Sequence, residues 1–359
     1  MVFKFFSVNA LLLFLSACST IECASNKPNI VLITANDIGY MDVQEYAHHI
    51  TGEKKRKMFY ETPNLDRLCL EGISFENAYG GRMYSDSHAG LLTGRINADF
   101  DQKGTKREPV SIAGVLPDYH SAFIGKWHAA GTPAAMGFDQ SGLQRGSRSA
   151  QADELTEQAV RYIESRSRIR NKPFFLCISH HVAEGSDYVK ARDLAYFSRK
   201  RTRGWNGQSD PRDAAIVKGV DDSVGRILHK LWRVGLDENT VVIFMPANGC
   251  ADAGSRKTSI SGRGVAKNTG RISQADVGMR VPLVIRWKKL VKAGSWSNVP
   301  VDYADILPTV MQCAGYFPES LSADARVDGC SLSGLFWDTR NKDDSYERDI
   351  PVVSRLTSL

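Results

Sequence analysis

Continuous apolar runs that alternate with helical segments constrain this chain more than any other feature of its sequence. The runs are NIVLIT (29–34), SAFIG (121–125), PFFLCIS (173–179), TVVIFM (240–245) and VPLVIRW (281–287). A strand without polar alternation is typical of a sheet that is covered on both faces, and strands that alternate with helices favour parallel pairing. The sequence therefore predicts an α/β fold with a large, mostly parallel or mixed central sheet and helices on both faces.

Two helical segments between these runs have recognisable ends. In TPNLDRLCLEG (62–72), Thr62 occupies the cap position, a proline follows in the first turn, and Gly72 ends the helix. Apolar residues recur at helical spacing from Ile216 to Leu231, and this second helix is predicted to stop near Gly235. Ligands of such folds bind beyond the carboxyl ends of the strands, so the residues after each apolar run are the site candidates.

Length and charge limit the classes of function. A chain of 359 residues can form one large domain, or one domain with an appendage. The formal net charge of +6 is mild, and no block of lysines and arginines is long enough to act as a nucleic-acid-binding arm. We expect an anionic substrate to be compatible with this charge, and we expect no nucleic-acid partner.

The first 26 residues have the pattern of an export signal. Lys4 precedes the apolar run from Ala10 to Leu15, which is too short to span a bilayer stably. The run leads into LSAC (15–18), which resembles a bacterial lipobox and predicts a lipid on Cys18; an ordinary signal peptide cut near Ala24 is the alternative. Either pattern predicts an exported protein, in the periplasm or on the outer membrane of a bacterium.

Seven cysteines are present, and none forms a CxxC pair or a cluster with metal-ligand spacing. A zinc site is therefore not expected. One or two disulfides would be compatible with export, but the spacing does not reveal a pairing. Cys69 and Cys177 lie in apolar runs and are predicted to be buried as small hydrophobic residues.

Polar residues follow four of the apolar runs. Asn36 and Asp37 come after the first, Lys126 and His128 after the second, His180 and His181 after the third, and Asn248 after TVVIFM. Carboxylate and amide oxygens are ligands that Ca²⁺ and Mg²⁺ accept, whereas a lysine and a histidine can hold an anion and transfer a proton. Each pair alone is more typical of a turn than of a ligand site. The joint occurrence of the pairs at strand ends is what predicts a site.

These segments together resemble the sulfatase family, the arylsulfatase-like members of the alkaline phosphatase superfamily. The motifs that carry the resemblance are KPNIVLITANDIGY, ETPNLDRLCLEGISFENAY, AGLLTGR, FIGKWH, VGMRVPLVIRW and DYADILPTV. The resemblance implies an alkaline phosphatase-like catalytic domain over residues 27–335. Residues 336–359 would be a remnant of the family's small C-terminal subdomain, which is otherwise missing.

The resemblance places an unusual residue at the nucleophile position. The family uses a cysteine or serine that is converted to formylglycine, and counting back from Gly94 places Tyr84 there. A phenol cannot become formylglycine, so none is expected. Ser85 is the substitute nucleophile candidate although it is turned by about 100° on a helix, and Ser87, which matches a helper position of the family, is the alternative. His88 falls on the family's activating arginine.

The implied cation site is also reduced. The family's three aspartates and one asparagine are matched by Asn36, Asp37, Ala247 and Asn248, so that only Asp37 carries charge. Affinity for hard cations depends on ligand charge and number, and we therefore expect a weakened site for Ca²⁺ or Mg²⁺. The family's active-site histidine is matched by Glu184, with His181 as an alternative alignment, and its late lysine is matched by Arg271.

Three hypotheses follow from the resemblance. The first is a sulfuric ester hydrolase with impaired activity on a sulfated carbohydrate or aryl sulfate. The second is a non-catalytic cell-surface binder of sulfated glycans, in which Lys126, His128, Arg271 and a charged His88 hold the sulfate. The third is a phosphatase or phosphodiesterase that uses Ser85, and it ranks last because such relatives generally use more metal-binding carboxylates and histidines.

Overall fold

The computed structural model describes most of residues 27–336. The described ranges are 27–81, 84–96, 110–129, 131–142, 151–169, 171–180, 189–202, 204, 208–249, 279–321 and 327–336, with backbone alone at 84–86 and 151. The predicted signal segment, with Cys18, lies outside them, as do Arg271, Glu184, His181 and residues 337–359. No helix among the described residues is both long enough and apolar enough to cross a membrane.

An eight-stranded mixed sheet forms the centre of the molecule, in the order β5-β4-β6-β1-β7-β8-β2-β9. The pairs from β5 to β7 are parallel, whereas β8 runs antiparallel to both of its neighbours. The strands are β1 (Asn29–Ala35), β2 (Ile73–Phe75), β4 (His120–Gly125), β5 (Gln140–Gly142), β6 (Phe174–His180), β7 (Thr240–Phe244), β8 (Leu283–Arg286) and β9 (Ser295–Ser297). The predicted fold class is confirmed.

Helices lie on both faces of this sheet. They are α1 (Gln44–Thr51), α2 (Pro63–Glu71), α3 (Tyr84–Thr93), α4 (Gln151–Ser167), α5 (Ala191–Arg199), α6 (Pro211–Arg233) and α7 (Ile306–Cys313). A separate two-stranded ribbon pairs β3 (Ala78–Tyr79) with β10 (Val301–Asp302). Within β1, Ile30 and Leu32 belong to one apolar core and Val31 and Ile33 to the other, which is why this strand has no polar alternation.

The start of α2 is capped differently from the sequence prediction. Thr62 does occupy the cap position, but its side chain caps no main-chain N–H group of the helix. The carboxylate of Asp221, on α6, accepts hydrogen bonds from the main-chain nitrogens of Asn64 and Leu65, both at 2.8 Å. The hydroxyl of Thr62 donates instead to Asp66. A carboxylate from a helix distant in sequence therefore accepts hydrogen bonds from the main-chain N–H groups in the first turn of α2.

The predicted burial of two cysteines is confirmed. Cys69 and Cys177 are buried, and burial raises the pKa of both thiols. Cys313 is also a buried free thiol.

Candidate active site

The four parallel strands β4, β6, β1 and β7 are neighbours, so their carboxyl ends meet at one edge of the sheet. Two main-chain hydrogen bonds extend the pairing beyond the strands. The nitrogen of Lys126 donates to the oxygen of Ser179 at 3.3 Å, and the nitrogen of Ala247 donates to the oxygen of Ala35 at 2.7 Å. The structure therefore places the predicted strand-end residues at the same edge.

Helix α3 begins beside the end of β7. The nitrogen of Gly81 donates to the oxygen of Ala247 at 3.0 Å. Gly80 packs so closely that a Cβ atom there would lie 2.4 Å from the same oxygen. The helix starts at Tyr84, and the backbone places Tyr84 and Ser85 in its first turn, next to the residues that follow β7. The side chains of residues 84–86 lie outside the described part of the structure.

His88 lies in an aromatic enclosure beneath this edge. Its ring is fully buried and makes edge-on contacts, with centroid distances of 5.7 Å to Phe123, 5.8 Å to Trp127 and 6.2 Å to His128. Ser87 is also buried, against Gly81, where a Cβ atom would lie 2.1 Å from the serine hydroxyl oxygen. The helix that should carry the nucleophile is thus packed tightly on its inner face.

Burial changes the expected role of His88. Desolvation, with a smaller contribution from His128, lowers the pKa of His88 from 6.5 to about 3. The imidazole is therefore expected to be neutral near neutral pH, which does not favour His88 as a source of positive charge for a bound sulfate. Lys126 and His128, by contrast, are each partly exposed at the edge.

Asp37 is held by the amides of two asparagines. Asn248 donates from Nδ2 to Oδ1 of Asp37 at 2.7 Å, and Asn36 donates from Nδ2 to Oδ2 of Asp37 at 3.1 Å. The nitrogen of Asp37 in turn donates to Oδ1 of Asn248 at 3.3 Å. Asp37 has a φ angle of 56°, and it is the one non-glycine residue with positive φ among the described residues. The three predicted metal ligands are therefore brought together.

This group does not have the donor set of a tight Ca²⁺ site. Such a site usually presents several charged oxygens to the ion, whereas here one carboxylate is faced by two N–H groups. Ala247 offers no ligand atom, and the described residues contain no group of three or more His, Cys, Asp and Glu side chains suited to a metal. The weakened cation site inferred from the sequence stays a prediction.

His180 is a candidate that the sequence reasoning did not select. The predicted strand ended at Ser179, but β6 continues to His180, which pairs with Ala35 next to the Asn36–Asp37 segment. The ring is fully buried, and desolvation lowers the pKa of His180 from 6.5 to about 4. The signal was its position directly after a buried run, although a histidine there is as typical of a turn as of a strand.

A comparison with known protein families shows to which family the chain belongs. The family model described as Sulfatase matches residues 28–316. The chain belongs to the sulfatase family. The match includes every described residue of the candidate site, from Asn36 to Asn248, and the mixed sheet is the one expected for an alkaline phosphatase-like sulfatase.

Curated relatives are sulfatases of sulfated sugars. The chain is 27% identical to the N-acetylgalactosamine-6-sulfatase of Mus musculus, over 90% of this chain and 69% of that protein. It is 22% identical to the N-acetylglucosamine-6-O-sulfatase of Bacteroides thetaiotaomicron, over 90% of this chain and 74% of that protein. The chain thus spans about two thirds to three quarters of the length of these relatives.

Solved structures agree on the fold. Ps i-CgsB in complex with k-i-k-neocarrahexaose superposes with a TM-score of 0.65 at 25% identity, covering 86% of this chain and 76% of that one. The phosphonate monoester hydrolase of Agrobacterium radiobacter superposes with a TM-score of 0.61 at 17% identity, covering 86% and 77%. The second likeness shows the shared architecture alone.

Proposed function

We propose that this sulfatase-family protein recognises a sulfated carbohydrate at the edge formed by β4, β6, β1 and β7, and that it hydrolyses the sulfate ester with severely impaired activity. The observation that carries the proposal is the start of α3 at Tyr84, at the position that the family motif gives to the nucleophile. A phenol has no thiol or primary alcohol on its β-carbon, so the family's formylglycine cannot form there.

The remaining residues support recognition better than rapid turnover. Lys126 and His128 are partly exposed beyond β4, where they can meet a sulfate. An unmodified Ser85 would need a metal or a neighbouring base to become a good nucleophile. His88 is neutral and enclosed by aromatic rings, and it cannot supply the positive charge of the arginine that it replaces.

A non-catalytic binder of sulfated glycans is the second candidate function. The arrangement at Asp37 favours it, because both carboxylate oxygens accept hydrogen bonds from asparagine amides. A family member without an active nucleophile would still bind sulfate through Lys126 and His128. Carbohydrate is the favoured ligand class because the curated relatives are named for sulfated sugars.

Sulfate release separates impaired hydrolysis from ordinary sulfatase activity. Purified protein is incubated with 6-O-sulfated N-acetylgalactosamine and N-acetylglucosamine oligosaccharides, and free sulfate is measured by ion chromatography. The proposal predicts release close to that of heat-inactivated protein. Rapid multiple-turnover release would overturn it, and faster hydrolysis of the matching phosphate esters would favour a phosphatase instead.

Calorimetry with the same oligosaccharides tests recognition. Lys126→Ala should weaken binding at least about tenfold, the loss expected for a charge-assisted hydrogen bond. Lys289→Ala is the matched control, because Lys289 contacts Asn239, which precedes β7 at the opposite edge of the sheet. Equal losses in the two variants, or no binding by the unmodified protein at low salt, would contradict recognition at this site.

A further inference from the structure

The two asparagine amides at Asp37 are oriented against metal coordination. An asparagine that binds a cation directs its Oδ1 atom at the ion, but Asn36 and Asn248 each direct Nδ2 at the carboxylate of Asp37. Both asparagines are almost fully buried, with 3% and 2% of their surface exposed, whereas Asp37 itself is partly exposed. Hydrogen bonds to a charged acceptor are stronger than neutral ones, most of all in a buried setting.

The orientation of the Asn248 amide is fixed from both ends. Its Oδ1 accepts from the main-chain nitrogen of Asp37, and its Nδ2 also donates to the main-chain oxygen of Gly249 at 2.8 Å. If the amide were rotated by half a turn, its oxygen would point at two other oxygens, that of Gly249 and that of the Asp37 carboxylate. Its NH₂ group would then point at the main-chain N–H of Asp37, so that all three hydrogen bonds would be lost. The amide nitrogen therefore has to point at Asp37.

The same contacts hold the strained backbone at the end of β1. A φ of 56° at Asp37 is a left-handed conformation that aspartate tolerates at some energetic cost. Asn248, which follows β7, bonds both the main chain and the side chain of this residue. The contacts therefore join the ends of β1 and β7, as a shared cation would.

We propose that the amides of Asn36 and Asn248 take the place of a divalent cation in this site, so that its structure does not depend on Ca²⁺ or Mg²⁺. The N–H groups supply positive partial charge to both carboxylate oxygens of Asp37, and Asn248 links the two strand ends. This inference concerns the architecture of the site and does not require the proposed function.

Thermal unfolding with and without Ca²⁺ tests the proposal on the unmodified protein. If the Kd of the site for Ca²⁺ were about a hundredth of the added Ca²⁺ concentration, binding would raise the Tm of a chain of this size by about 4 °C. We expect the Tm in excess EDTA and in millimolar CaCl₂ or MgCl₂ to agree within about 1 °C. A reversible rise of about 4 °C or more would overturn the proposal.

Asn248→Ala distinguishes an amide clamp from a metal ligand. If Asn248 acts through its amide nitrogen, the variant loses the same amount of Tm in EDTA and in CaCl₂, because the carboxylate of Asp37 loses a donor in both. If Asn248 were a cation ligand, the loss would occur in CaCl₂ alone, and that result would contradict the proposal.

Adding carboxylates to the site should create a dependence on Ca²⁺. Asn36→Asp with Ala247→Asp places three carboxylates at the strand ends, and we expect a lower Tm in EDTA that CaCl₂ raises by at least about 4 °C. Asn239→Asp, at the opposite edge, controls for an added surface charge and should show no such rise. A folded double variant without a calcium response would overturn the proposal; if it does not fold, the Asn248→Ala comparison decides. Sulfate release and glycan binding are not read in these experiments, so either proposal can fail alone.

Discussion

Lowering the pH should destabilise this protein through the two buried histidines at the site edge. Burial lowers the pKa of His88 to about 3 and that of His180 to about 4, from an ordinary value of 6.5. The unfolded chain therefore binds protons between these values while the folded protein does not. The stabilising contribution of each neutral histidine is complete above pH 6.5 and is lost progressively as the pH falls toward the folded-state pKa.

The size of this loss of stability follows from the two pKa shifts. One pH unit of differential protonation corresponds to about 1.4 kcal/mol, so each histidine should cost about 2 kcal/mol of unfolding free energy between pH 7 and pH 5. Asp42 acts in the opposite direction, because desolvation raises its carboxyl pKa to about 8 and its folded form holds a proton that the unfolded form releases. The total slope of the unmodified protein therefore does not isolate the histidines.

Glutamine variants isolate the contribution of each histidine to the pH dependence of stability. Urea unfolding of the unmodified protein, His88→Gln and His180→Gln is measured at pH 7 and at pH 5, and the pH-dependent loss is compared so that the intrinsic cost of each substitution cancels. Each variant should lose about 2 kcal/mol less than the unmodified protein on acidification. A variant whose loss matches that of the unmodified protein within about 0.5 kcal/mol would refute the buried neutral histidine at that position.

Three further substitutions test packing and charge by urea unfolding. Gly80→Ala should cost about 1–3 kcal/mol, because its Cβ would lie 2.4 Å from a main-chain oxygen, whereas Gly334→Ala, with no neighbour within 4 Å, should be near neutral; equal costs would contradict the close approach. Asp221→Ala should cost about 2 kcal/mol through the lost cap of α2, and Asp222→Ala, in a partly exposed ion pair, less than about 1 kcal/mol. Arg286→Met should cost about 3–5 kcal/mol by leaving two carboxylates without their buried partner; a neutral effect would show that the ion pairs add nothing.

Most of the sheet could be predicted because its strands are continuous apolar runs between helical segments. The predicted ends of NIVLIT and PFFLCIS differ from the observed strands by one residue, because hydrogen bonding to neighbours, rather than hydropathy, sets where a strand stops. The strands β2, β5 and β9 have three residues each, too few for a periodic pattern.

The candidate site could be predicted as a set of positions, but its chemical state could not. Motif order placed Asn36, Asp37 and Asn248 at adjacent strand ends, and the structure joins them by hydrogen bonds. The neutral state of His88 depends on three aromatic side chains that surround it from another segment of the chain. The direction in which an amide points depends in the same way on partners that no local pattern reveals.

Turnover of 4-methylumbelliferyl sulfate tests the central claim most directly. Purified protein is assayed over days at high enzyme concentration with added Ca²⁺, beside Ser85→Ala and heat-inactivated protein. With Tyr84 at the nucleophile position, we expect hydrolysis only slightly above that of the inactivated sample after days of incubation, and none above it if the protein is a binder alone. Rapid hydrolysis by the unmodified protein that disappears in Ser85→Ala would contradict the claim and identify Ser85 as the working nucleophile.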